Sequence, residues 1–214
     1  MNNLQKRILT SVFIFPLSIF FIIKGGYFLL AFLLSIFFVG NYELFSVFKR
    51  KSTILFLDLI LIISLYSIYY LVDYTKVSFY LLLWSIVLVI CSDIGGYFFG
   101  KTFKWKKITK ISPKKTLSGV FGSFIFSLLS IFIINFFIPN GVINFLEPKF
   151  FFLAIIFSLV AQAGDLTISY YKRIEKVKDM GKILPGHGGI FDRIDGVMFV
   201  VILTLVFYKL DFIP

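Results

Sequence analysis

Oxygen-bearing side chains recur at helical spacing near the C-terminal end of the chain. Asp165 and Ser169 are four residues apart, and Asp192 and Asp195 are three apart, so each pair shares one face of a helix. Such oxygens on converging faces suit Mg²⁺, which takes one or two carboxylates together with water and substrate phosphate. The alternative is that the acids pair with neighbouring lysines and arginines and bind no metal. We interpret the two pairs as a predicted metal site.

A basic, glycine-rich segment separates the two acidic pairs. Glycines let backbone amides approach a ligand closely, and a helix N-terminus carries partial positive charge that suits phosphate. We interpret the segment as a phosphate-binding loop; the alternative is a turn flanked by lysines that mark a cytoplasmic loop. His187 is assigned to phosphate contact or loop structure, because an ionised phosphate oxygen hardly needs a general base to attack. The candidate residues are Lys172, Arg173, Lys176, Lys178, Lys182, His187, Gly188 and Gly189.

A third polar group flanks a lysine-rich loop further upstream. An aspartate precedes the loop, and a Ser-Pro-Lys-Lys-Thr sequence closes it at the predicted start of a helix, where an anion is stabilised. The other lysines of the loop are better explained by membrane topology. The candidate substrate-binding residues here are Asp93, Ser112, Lys114, Lys115 and Thr116.

The composition indicates an integral membrane protein. Hydrophobic residues make up 59% of the chain and charged residues 15%, against about 45–50% and about 25% in soluble domains. The net charge of +11 is then expected to mark cytoplasmic loops and contact with anionic lipid, so we exclude nucleic acid as a partner. The single cysteine, Cys91, lies in an apolar segment and allows no intramolecular disulfide.

Recurrent apolar segments predict an all-α, polytopic bundle of about seven transmembrane helices. The bundle is treated as one membrane domain over residues 1–214, with N-terminal helices over about 1–76 and catalytic helices and cytoplasmic loops over 77–214. The first apolar segment is interpreted as a retained helix, since no small-residue cleavage site follows it. The predicted helices cover about 8–23, 27–47, 53–72, 77–99, 118–138, 150–171 and 190–210.

The distribution of Lys and Arg predicts the orientation of these helices. Seventeen lie at the N-terminus or in the loops after helices two, four and six, against four in the alternate loops, so the N-terminus is expected in the cytoplasm. The acids of helices four, six and seven then lie at one cytoplasmic depth. An acid within the membrane is expected to be functional, although Asp58, alone in helix three, is equally well explained as structural. A transporter would need polar residues across the membrane, which these helices lack.

Four segments resemble motifs of the phosphatidate cytidylyltransferases, also called CDP-diacylglycerol synthases. The resemblance is strong over about residues 90–200, whereas the first three helices are similar only in general character. The matching motifs are Asp93-x-Gly95-x-Tyr97-Phe98-x-Gly100, Ser112-Pro113-Lys114-Lys115-Thr116-x-x-Gly119, Ser169-x-x-Lys172-Arg173-x-x-x-x-Lys178-Asp179, and Leu184-Pro185-Gly186-His187-Gly188-Gly189-Ile190-x-Asp192-Arg193-Ile194-Asp195.

The resemblance implies transfer of a cytidylyl group from CTP to phosphatidate at the cytoplasmic face of the inner membrane. It implies Mg²⁺ as cofactor, held by Asp165, Ser169 and Asp192 near a second cation such as K⁺, and it is compatible with a homodimer. A CTP-dependent polyprenol or lipid kinase is the rival within the same chemistry. The implied catalytic residues are Asp165, Asp192, Lys172, Arg173 and Asp195, with Asp93 as nearby support. The resemblance also implies that Lys178, His187 and Arg193 bind the phosphates.

Two positions depart from the family pattern. The family usually has an acid where this chain has Ile168, and a glutamate where it has Ser118. The acids and the serine of the implied metal site are intact. The departures are therefore expected to affect secondary contacts, rate or substrate preference.

Overall fold

The structure, a computed structural model, describes residues 3–109, 111–113, 115–139, 141–181, 183 and 188–213; at positions 3–11, 13 and 15 only the backbone is described. Helices account for most of the described residues. An isolated antiparallel β-bridge joins Lys107 to Thr116 in a loop. The predicted all-α class is confirmed. The helices are α1 (Asn3–Lys24), α2 (Gly26–Val47), α3 (Lys51–Asp73), α4 (Lys76–Phe103), α5 (Leu117–Phe137), α6 (Pro148–Ile174) and α7 (Phe191–Lys209).

Five of these helices, α2 to α6, are long and apolar enough to cross a membrane. With 28 and 27 residues, α4 and α6 are about 40 Å long, which exceeds a hydrocarbon core of about 30 Å. Both continue beyond their predicted C-terminal ends, because polar residues at the membrane boundary do not by themselves stop a helix. Seven spanning helices and a cytoplasmic N-terminus remain predictions.

Helices α4 and α5 pack backbone against backbone through glycines. A Cβ atom at Gly95 would lie 2.3 Å from the carbonyl oxygen of Gly122, and one at Gly122 would lie 2.4 Å from that of Gly95. The Ser123 hydroxyl also donates a hydrogen bond of 2.8 Å across the pair to the Ser92 carbonyl. Small residues allow such close helix packing in membranes. The glycines of the Asp-x-Gly motif therefore have a packing role.

Buried hydroxyl pairs and a glycine contact connect α4 to α6 and α7. Ser92 and Ser158 are 2.8 Å apart, and Ser85 and Thr204 are 2.6 Å apart, measured between hydroxyl oxygens. Gly164 of α6 is so close to α7 that a Cβ would lie 2.5 Å from the Phe199 ring. The three helices that carry the predicted acids thus form one packed unit.

The N-terminal helices pack against the other side of α7. Leu44 of α2, Leu57 and Leu61 of α3 and Phe191 of α7 are all fully buried in one hydrophobic cluster. At Gly40, an added Cβ would lie 3.0 Å from Leu61 and 3.1 Å from Phe191. The start of α7 is therefore held between the N-terminal helices and α6. The division of the chain near residue 76 remains a prediction.

We expect Gly122→Ala to destabilise the protein. Alanine favours a helix by about 1 kcal/mol over glycine, but the added Cβ would force α4 and α5 apart, and overpacking costs about 1–3 kcal/mol or more. The thermal unfolding midpoint in detergent should fall. Ile125→Ala, at a 48% exposed position of the same helix, is the control and should change the midpoint less. An unchanged or higher midpoint in Gly122→Ala would contradict the packing role.

Candidate active site

Four aspartates from three helices line a single cavity of about 360 Å³. Asp93 is the eighteenth residue of α4 and Asp165 the eighteenth of α6, so both lie about 25 Å along their helices. Asp192 and Asp195 lie in the first turns of α7. The cavity brings together acids that the sequence placed at one depth.

The loop between α4 and α5 folds back over this cavity. Backbone hydrogen bonds of 3.0 Å join Ile108 to Lys115 and Leu117 to Lys106. The Thr116 hydroxyl caps α5 by accepting a hydrogen bond of 3.2 Å from the Gly119 amide. These contacts bring the predicted residues of the Ser-Pro-Lys-Lys-Thr sequence to the cavity, which Ser112, Lys115 and Thr116 line.

Lys115 anchors the loop to α6. Its ammonium lies 2.5 Å from Oδ2 of Asp165 and donates a hydrogen bond of 3.3 Å to the Gln162 carbonyl. The other oxygen of Asp165 accepts a hydrogen bond of 3.3 Å from the Ser169 hydroxyl. One third of the Asp165 side chain remains exposed. Asp165 is therefore accessible to a ligand in the cavity.

Asp192 is more completely engaged by the protein. Its Oδ1 lies 2.7 Å from the Lys172 ammonium, and both side chains are less than one tenth exposed. Its Oδ2 accepts hydrogen bonds from the backbone amides of Met180, at 2.8 Å, and Gly189, at 3.0 Å. Asp192 thus forms an ion pair with Lys172, which was the alternative to metal binding. Its role as a metal ligand stays a prediction.

Glu43 of α2 is a site residue that the sequence analysis missed. This carboxylate is 1% exposed and accepts hydrogen bonds from the amides of Ile190, at 2.9 Å, and Phe191, at 3.1 Å. Together with Asp192 it occupies three successive amides at the start of α7. We expected these amides to face phosphate, but the protein supplies their acceptors. An acid near the end of an apolar helix was the signal that could have identified Glu43.

The other predicted phosphate-binding residues lie outside the cavity lining. Arg173 donates hydrogen bonds to the carbonyls of Ile111, at 3.3 Å, and Val177, at 2.8 Å, and so connects the two loops. Arg193 is exposed and interacts electrostatically with Asp93. Lys114 and His187 lie outside the described residues. Seven of the predicted site residues are described by the structure but do not line the cavity: Ser169, Lys172, Arg173, Lys178, Gly188, Gly189 and Arg193.

The two departures from the family pattern occupy buried positions. Ile168 is fully buried in the hydrophobic cluster that also contains Met180 and Phe191. Ser118 is 2% exposed; its hydroxyl accepts a hydrogen bond of 3.4 Å from the Trp105 amide and lies 3.0 Å from the Thr116 hydroxyl oxygen. Ile168 therefore packs beneath the loop that precedes α7, and Ser118 helps to close the loop that precedes α5.

The cavity fits a metal ion that binds together with substrate. Among the described residues, no group of three or more His, Cys, Asp or Glu side chains is arranged to hold a metal ion. Asp93 and Asp195, however, both interact unfavourably with Asp165. A cation would offset this repulsion, and Mg²⁺ takes only one or two carboxylates and completes its shell with water and phosphate. The donors suit such a shared site and do not form an all-protein cage.

We expect Lys172→Met to destabilise the protein. Removing one partner of a buried ion pair costs about 3–5 kcal/mol, here reduced because Asp192 keeps two backbone donors. The thermal unfolding midpoint measures the loss. Lys149→Met is the matched control, because Lys149 pairs with Glu147 at 2.8 Å with both side chains more than 40% exposed, and such pairs contribute about 0–1 kcal/mol. Equal effects of the two substitutions would contradict the structural importance of the buried pair.

Comparison with known proteins identifies the family. Residues 51–211 match the model of the cytidylyltransferase family. A phosphatidate cytidylyltransferase of Rickettsia felis is 33% identical over 210 residues, which cover 92% of this chain and 88% of that protein.

Higher identity is found over shorter stretches. A phosphatidate cytidylyltransferase of Helicobacter pylori is 42% identical over 55% of this chain and 43% of its own length. One of Staphylococcus haemolyticus is 41% identical over 56% of this chain and 45% of its own length. The chain thus spans about half the length of these two relatives. The family match and the Rickettsia alignment together establish that the chain belongs to the cytidylyltransferase family.

Proposed function

We propose that the chain is a phosphatidate cytidylyltransferase, which converts CTP and phosphatidate to CDP-diacylglycerol and pyrophosphate in phospholipid biosynthesis. The observation that carries the proposal is the cavity in which aspartates of α4, α6 and α7 meet the Ser-Pro-Lys-Lys-Thr loop. The relatives that match this chain carry the same activity in their names.

The position and lining of the cavity suit one water-soluble and one membrane substrate. Its acids lie about 25 Å along α4 and α6, near one boundary of a hydrocarbon core about 30 Å thick. The lining also includes Tyr97, Ile108 and Val120 beside the carboxylates, and Tyr97 is 70% exposed. CTP would approach from water, and phosphatidate would approach sideways from the leaflet.

In the proposed reaction an ionised phosphate oxygen of phosphatidate attacks the α-phosphorus of CTP. A new phosphorus–oxygen bond forms, the bond between the α-phosphorus and the bridging oxygen breaks, and pyrophosphate leaves with the electron pair. No general base is required, so the residues of this chain act by holding and orienting the two substrates. Lys115, which lines the cavity beside Asp165, would contact a phosphate.

We assign Asp165 and Ser169 to hold Mg²⁺, because one third of the Asp165 side chain is exposed and the Ser169 hydroxyl lies beside it. The Lys115 ammonium would then move from Oδ2 of Asp165. Asp192 could join them only if the Lys172 ammonium moved from its Oδ1. When bound, Mg²⁺ would neutralise negative charge on the reacting phosphates. The second cation stays a prediction.

Basic residues around the cavity support the binding of an anionic nucleotide. Arg173 bonds to the loop next to Ser112, and Arg193 interacts with Asp93. Positive charge at such positions attracts a polyanion. We assign Arg173 and Arg193 to this role, and Lys178 and His187 by resemblance.

The location of the proposed enzyme follows from charge. Seventeen Lys and Arg residues in one set of loops support a cytoplasmic cavity in the inner membrane. A homodimer remains a proposal that rests on resemblance alone.

A lipid-product assay tests the reaction. Purified protein with phosphatidate, Mg²⁺ and CTP labelled at the α-phosphate should form labelled CDP-lipid and release pyrophosphate. A chelator should abolish the product, and added Mg²⁺ should restore it. With CTP labelled at the γ-phosphate, the lipid should stay unlabelled; label transfer from that position, with CDP as the other product, would indicate a lipid kinase instead.

Substitution of the cavity acids tests the site assignment. Asp165→Asn and Asp192→Asn should each lower the rate of CDP-lipid formation by at least about 100-fold while the protein remains inserted in the membrane, because each removes charge that positions phosphate or metal. The control is Asp73→Asn, because Asp73 is exposed and is the last residue of α3. This substitution should leave the rate unchanged. Near-normal rates in both cavity variants would refute the metal assignment.

A further inference from the structure

Glu43 is a buried carboxylate in an apolar helix, outside the segment that matches the family model. The match begins at residue 51, whereas Glu43 lies near the C-terminal end of α2 and is 1% exposed. Among the ion pairs of the described residues, none includes Glu43. A buried carboxylate is costly unless it accepts several hydrogen bonds. Burial of the Glu43 carboxylate therefore depends on the backbone amides that it binds.

Those amides belong to the start of α7. Oε1 accepts the hydrogen bond from Ile190, and Oε2 accepts the one from Phe191. A carboxylate at a helix N-terminus satisfies donors that have no partner within the helix, and it is stabilised by the helix dipole. The contact spans nearly 150 residues of sequence and fixes α2 to the first turn of α7.

The loop backbone also closes tightly around Glu43. A Cβ atom at Gly189 would lie 2.5 Å from Oε2, and one at Gly181 would lie 2.9 Å from Oε1. A side chain at either place would displace the carboxylate from its present position. Part of the glycine-rich sequence before α7 is thus explained by Glu43.

The same turn orients the cavity acids of α7. Asp192 follows Phe191 directly and accepts the Gly189 amide hydrogen bond, and Asp195 lies one turn further along. Both line the cavity, whereas Glu43 does not. Any shift of the first turn of α7 would move both acids relative to Asp165.

We propose that Glu43 is a positioning residue for cytidylyl transfer: its carboxylate holds the first turn of α7 and thereby sets Asp192 and Asp195 in the cavity. It acts through these residues and does not touch substrate. The inference rests on the proposed function.

Kinetics of Glu43→Gln and Glu43→Asp test the proposal. Glutamine keeps the size of the side chain but places an NH₂ donor against a backbone N–H. We expect kcat for CDP-lipid formation to fall about 10- to 100-fold, since small displacements of catalytic groups have effects of this size. The KM for phosphatidate should stay unchanged. Glu43→Asp keeps both acceptor oxygens on a shorter side chain and should recover part of the lost kcat.

Asp58→Asn provides the matched control. Asp58 is an acid within the neighbouring apolar helix α3, and its Oδ1 is buried without a hydrogen-bond partner in the described structure. Its substitution removes a membrane carboxylate that contacts no part of α7 by hydrogen bond or ion pair in that structure. The kcat of Asp58→Asn should equal that of the unsubstituted protein.

Hydrogen exchange gives a readout that does not depend on activity. In Glu43→Gln, the amides of Ile190 and Phe191 should exchange faster, while the amides in the middle of α7 keep their protection. A double variant with Asp192→Asn should be no less active than Asp192→Asn alone, because coupled residues are not additive.

The outcomes separate the two proposals. Absence of CDP-lipid formation by the unsubstituted protein would overturn the proposed function, and the inference with it. Activity in the unsubstituted protein with normal kcat in Glu43→Gln would overturn the inference alone. A lower unfolding midpoint with normal kcat in the folded protein would also overturn it, because Glu43 would then serve stability only.

Discussion

The start of α7 depends on two carboxylates, one from Asp192 of α7 itself and one from Glu43 of α2. Asp192 binds the Lys172 ammonium and two loop amides, and Glu43 binds the next two amides. In a low-dielectric interior each charge would be costly alone. Their combined contacts join α2, α6, α7 and the loop before α7 in one arrangement that includes Asp192 and Asp195.

Close helix packing supplies the other side of the cavity. Gly95 and Gly122 let α4 approach α5 until their backbones touch, so Asp93 and the loop before α5 come to the same end of the bundle. Lys115 then connects the loop before α5 to α6 by binding Asp165. The glycines therefore allow the close helix packing that brings Lys115 and Asp165 together. Two described lysines near the cavity acids, Lys115 and Lys172, thus already have carboxylate partners.

Sequence patterns predicted the helices well and the membership of the cavity in part. Long apolar segments separated by charged loops place all seven helices within a few residues at most ends, because a membrane helix needs length and hydrophobicity more than specific partners. The shared depth of Asp93, Asp165 and Asp192 also followed from alternating topology. The sequence predicts that Gly189 contacts phosphate, whereas in the structure it lies against the carboxylates of Glu43 and Asp192. A glycine beside a helix N-terminus suits a phosphate and a protein carboxylate equally well.

The sequence by itself determined the all-helical membrane class, the approximate helix boundaries and the group of acids near one end of the bundle. These features depend on local hydrophobicity and on spacing along single helices, which can be read without knowing the neighbours. Tertiary structure alone decided which charges pair. The contacts of Glu43 with Ile190 and of Lys115 with Asp165 join residues far apart in the chain, and no local pattern specifies them. Ile168 illustrates the same division: its apolar type was visible in the sequence, but its burial against Met180 and Phe191 appears only when α6, α7 and their loop are packed together.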